Sequence, residues 1–86
     1  MPLISEFFGI TIYMYYDDHN PPHFHAVYGG ETALISIIDG SIFKGTFPIK
    51  QSRMVQAWCE IHRDELMRNW ELYKSFGQLL LIEPLK

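Results

Sequence analysis

The chain has 86 residues, 48% apolar and 15% aromatic, with seven basic and ten acidic side chains and a formal net charge of −3. That length supports one core, so residues 1–86 read as a single domain, and the composition excludes a disordered chain. The scattered charge gives no basic stripe for non-specific nucleic-acid binding, and no run approaches the roughly 20 apolar residues of a membrane span.

In chain order, Ile4 to Phe8 is a short segment of strand character closed by Gly9. Ile10, Ile12 and Met14 then alternate with Thr11, Tyr13 and Tyr15, the period of a half-buried strand. Asp17-Asp18-His19-Asn20-Pro21-Pro22 has turn chemistry. His23 to Tyr28 returns as a strand, with His23, His25 and Val27 on one face and Phe24, Ala26 and Tyr28 on the other. Gly29-Gly30 is a hairpin signal, Thr32 to Ile38 the next strand, Asp39-Gly40 a second turn, and Ser41 to Phe47 a further strand.

From about Gln51 to Ser75 the spacing becomes helical. Val55, Trp58, Cys59, His62, Leu66, Trp70 and Tyr73 form one continuous apolar face, Ser52 near the start reads as a cap, and Gly77 is a stop. Leu79 to Ile82 reads as a last strand, ended by Pro84. The expected fold is α+β: an antiparallel β-meander sheet of four to five strands with one long helix packed across one face. The opposite face then has no helix to cover it. With so many aromatics, that predicts an exposed surface for a partner or a homodimer. The lone Cys59 cannot close an internal disulfide and the N-terminus has no signal-peptide character, so a cytoplasmic location is expected.

Three of the four histidines fall in the run His19-Asn20-Pro21-Pro22-His23-Phe24-His25. The prolines stiffen the run and remove two N–H donors. His23 and His25, two apart in a strand, point to the same side. Three readings stay open. His19, His23 and His25 are a candidate open metal site, with zinc the natural ion and Asp17 or Asp18 in support. Alternatively, His23 and His25, with His62 from the helix stripe, are candidate acid–base residues for cleaving RNA through its 2′-hydroxyl. Lys44, Lys50 or Arg53 would then stabilise the transition state. The third reading is structural: the imidazoles bond to backbone, and the chain is a binding module whose loop and sheet meet a partner.

The chain also resembles the DUF4160 family of small bacterial proteins of unknown function. The resemblance rests on Pro2, Ile4, Ser5, Phe7 and Gly9, then Ile10, Ile12 and Met14-Tyr15, and above all on the block Asp18-His19-x-Pro21-Pro22-His23-Phe24-His25-Ala26 with Tyr28. It resumes at Pro48, Val55, Trp58, His62, Glu65-Leu66, Asn69-Trp70 and Ile82-x-Pro84-Leu85. It implies a small partner protein of the DUF2442 type and a two-gene arrangement like a toxin–antitoxin pair; a toxin role would suit the RNA-cleaving chemistry read from the histidines, with RNA as the substrate in that case. The family supplies no residue roles; with the histidine loop taken as the functional surface, the expected binding residues are Asp18, His19, Pro22, Phe24 and Tyr28.

Overall fold

The alternating segments become five successive strands in the computed structural model, which describes residues 2–15 and 19–86. These are β1 (Leu3–Phe7), β2 (Ile10–Tyr13), β3 (His23–Tyr28), β4 (Glu31–Ser36) and β5 (Ile42–Gly45). They pair antiparallel in sequence order, β1-β2-β3-β4-β5, so every ladder joins neighbours along the chain. The Phe8-Gly9 turn has positive φ at both residues, 50° and 78°, the hand that suits a two-residue hairpin.

Register follows the apolar period. Ile12, Ala26 and Ala33 align across three strands, as do Phe24, Ile35 and Ile42. This inner face is buried almost completely. Gly45, at φ 83°, lies so close to β4 that a Cβ there would run into the Thr32 carbonyl oxygen.

The expected single helix is two: α1 (Ile49–Ile61) and α2 (Arg63–Phe76), separated at His62, where φ is −110° and ψ 22°. Helical bonds still bridge the break, from His62 N–H to Trp58 O (3.0 Å) and from Leu66 N–H to His62 O (2.9 Å). The bend is therefore one residue wide. No glycine or proline causes it; tertiary contacts do. Trp58 of α1 sits against Phe24 and Phe7, with ring centroids 5.6 and 5.3 Å away. Arg63 donates from Nε to the Ile37 carbonyl at 2.8 Å. Trp70 of α2 instead reaches His23, at 5.3 Å. His23 and Phe24 are successive strand residues and point to opposite faces. One apolar stripe thus touches both faces of β3, and the face expected to be bare is covered at its end.

Two smaller expectations are corrected as well. Ser52 is not the cap; Pro48 occupies that position, and Ser52 N–H already bonds to Pro48 O at 2.8 Å inside the first turn. Residues 79–82 form no strand. Ile82 N–H bonds to Ile4 O at 2.8 Å, but the flanking backbone is taken by helix side chains. Asn69 exchanges two bonds with the Leu80 backbone, at 2.7 and 3.1 Å, and Trp58 Nε1–H donates to Glu83 O at 2.8 Å. Cys59 is buried as expected, and burial pushes its thiol up. Among the described residues, no helix is long and apolar enough to cross a membrane.

Candidate functional site

The Pro21-Pro22 pair delivers the chain into β3 with His23 at its first position. The Pro21 carbonyl can only accept, so the 2.7 Å contact places the His23 proton on Nδ1. The ring is only 4% exposed. Around it stand Trp70, Phe43 and His25, with centroids at 5.3, 5.4 and 5.4 Å, Phe43 meeting it edge-on. His25 is half-buried and receives Tyr15 edge-on at 4.4 Å, and Tyr13 lies 6.5 Å beyond. At the other end, Lys74 Nζ stands 4.8 Å over the Trp70 ring. A connected series of side chains therefore runs from Lys74 through Trp70, His23, His25 and Tyr15 to Tyr13.

Pairing register adds a second axis. Tyr13, His25, Leu34 and Lys44 are successive cross-strand partners and share this face. Two strand spacings put Lys44 about 10 Å from His25. The exposed part of the face offers aromatic edges, an imidazole and an ammonium group, a surface suited to packing and hydrogen bonding at once.

The remaining candidates separate. His19 is exposed. Among the described residues, no three His, Cys, Asp or Glu side chains gather as ligands of one ion, so His19, His23 and His25 are not brought together as a set. Asp17 and Asp18 lie outside the described residues. His62 does not join the pair on β3; its Nδ1–H donates to Glu65 Oε1 at 2.6 Å, and its ring lies 5.6 Å from Trp58. Phe24, expected at a binding surface, is completely buried against Trp58. Tyr28 is half-buried beside Phe47, on the inner side. Pro22 is half-buried, and its carbonyl accepts from Ile37 N–H at 3.0 Å. Lys50 and Arg53 are exposed on α1, which packs on the inner face, away from His25.

Four participants were not anticipated as part of this face. Tyr13 and Tyr15 carried a usable signal, since their parity is opposite to buried Ile12 and Met14 and so places them with His25. Phe43 sits where the β4–β5 register shifts, and Trp70 arrives only because α2 bends away from α1. Neither has a local signature.

A family model described as a domain of unknown function, DUF4160, matches residues 9–71. No curated protein and no solved structure matches the chain.

Proposed function

The chain belongs to the DUF4160 family, and from that premise we propose that it is a protein-binding module whose contact surface is the tyrosine–histidine face of the sheet. The partner we propose is a small protein of the DUF2442 type, encoded beside it in a two-gene module of the toxin–antitoxin kind. The observation that carries the reading is the state of His23. Its Nδ1–H is committed to Pro21, and the ring is enclosed by Trp70 and Phe43. An imidazole so enclosed supports a surface and is poorly placed to exchange protons with a bulky substrate. His25 and the two tyrosines remain half-exposed above it, and such amphipathic rings favour interface positions.

The second reading is metal-free RNA cleavage. In its favour, Lys44 shares the cross-strand row of His25 and could meet a developing negative charge. One experiment separates the two. The chain is co-expressed with the product of the adjacent gene, and co-elution is compared for the wild type, Tyr15→Ala and His25→Ala, alongside turnover of a labelled RNA. Loss of co-elution in folded variants, with no turnover in any sample, supports the binding module. Turnover that His25→Ala abolishes, with co-elution intact, refutes it.

A further inference from the structure

We propose that the open edge of β5, with the start of α1 beside it, is a docking strip for an extended acidic segment of the partner protein. The inference rests on the binding-module reading and names the chemistry that the partner brings. The sheet has two edges, β1 and β5. The edge of β1 is joined to the C-terminal segment through the Ile82–Ile4 bond. At β5, among the described residues, no backbone bond leads from residues 42–46 to anything but β4. The N–H and C=O groups that point away from β4 are therefore open to a further strand, and they favour a peptide over a nucleic acid, which has no ladder to extend.

Charge selects the strand. All ten acidic residues lie outside residues 40–59, and that stretch holds Lys44, Lys50 and Arg53. All three are exposed. Arg63 and Lys86 are matched by Glu60 and Glu83, whereas among the described residues none of these three meets a carboxylate. Lys50 and Arg53, three apart on α1, are neighbours on its surface. Lys44 lies six residues before Lys50, so their Cα atoms stand at most about 22 Å apart, the length of about seven extended residues. Phe43 and Ile49, 44% and 72% exposed, add apolar surface beside the cations. A second copy does not fit, because pairing two β5 edges about a twofold axis would crowd both sets of cations together. A lysine on an edge strand bars indiscriminate pairing, and here it favours a strand that carries carboxylates. Lys44 also ends the cross-strand row that contains Tyr13 and His25, so the strip carries the proposed contact face to the sheet edge.

The probe is a labelled peptide of about seven residues alternating glutamate and valine, sized to the strip, with its lysine-for-glutamate counterpart and a labelled single-stranded RNA of equal charge as controls. Fluorescence anisotropy reads binding to the full chain. The acidic peptide is expected to bind, and the basic peptide and the RNA at least about tenfold more weakly. Lys44→Glu and the double variant Lys50→Glu/Arg53→Glu, all at exposed positions, should each weaken acidic-peptide binding at least about tenfold without moving the melting temperature. Binding should fall between about 0.1 M and about 1 M salt, over which the screening length shrinks from about 10 Å to about 3 Å. Bound peptide should slow amide exchange within residues 42–46 and leave residues 3–6 unchanged. Equal binding of the two peptides, binding that ignores Lys44→Glu, or unchanged exchange in residues 42–46 overturns the proposal. RNA binding as tight as that of the acidic peptide, and lost in the same variants, overturns it in favour of a nucleic acid. Charge reversals that leave co-elution with the adjacent gene's product intact, where Tyr15→Ala abolishes it, overturn the strip and leave the binding module standing; a wild type that does not co-elute overturns both.

Discussion

Replacing His23 tests whether its ring is a structural element or a chemical one. Alanine removes an enclosed ring that touches Trp70, Phe43 and His25, together with the bond to Pro21. Aromatic pairs contribute about 0.5–1.5 kcal/mol each beyond burial, and a hydrogen bond about 1 kcal/mol. Because such terms overlap, His23→Ala should cost about 3 kcal/mol, against a total of about 5–10 kcal/mol for a domain of this size. His23→Phe keeps a ring in the same enclosure and loses only the bond, so it should cost about 1 kcal/mol. Urea unfolding, followed by the fluorescence of Trp58 and Trp70, reads the difference. With a slope of about 1 kcal/mol per M, the alanine midpoint should fall by about 3 M and the phenylalanine midpoint by about 1 M. If alanine costs less than about 1 kcal/mol, the ring does not hold α2 to β3, and the case for a purely structural His23 collapses.

Asn69→Ala should cost about 2 kcal/mol, because it removes both bonds to the Leu80 backbone, and should speed amide exchange at Ile82; unchanged exchange there would contradict the role assigned to Asn69. Asp39 accepts from the Ser41 backbone N–H and hydroxyl at 2.9 and 2.7 Å, which holds its carboxyl below the ordinary 3.8. Its contribution is therefore complete above that ordinary value and is lost as pH falls through the lower folded one. In an acid titration, the stability gap between wild type and Asp39→Asn should be flat above that range and shrink below it, and a gap that widens on acidification would refute the assignment.

The sheet was legible because its signals are local. Alternation in Ile10–Tyr15 and His23–Tyr28, with glycine turns between, fixes both the strands and the faces they present. The bend at His62 was not legible, because the apolar stripe continues at helical spacing straight through it. Only contacts distant in sequence, Trp58 with Phe24, Arg63 with Ile37 and Trp70 with His23, turn the chain there. The same limit applies to the site. Pairing of His23 with His25 follows from strand period, but enclosure of His23 by Phe43 and Trp70 depends on a register shift and on that bend. Residues 79–82 look like a strand by composition and are denied one because Asn69 and Trp58 capture their backbone.

The bond from Ile82 to Ile4 has a consequence for how the molecule assembles and comes apart. Every ladder in the sheet joins neighbours in sequence, so the meander has low contact order and forms early. Closing residues 80–83 onto β1 joins opposite ends of the chain and carries the largest loop-closure entropy, so it comes late. Opening runs in reverse, and the segment can leave as one unit while the hairpins persist. Each such excursion uncovers the outer edge of β1, a template for pairing with other chains. The few bonds that seat this segment therefore guard solubility as well as contribute stability.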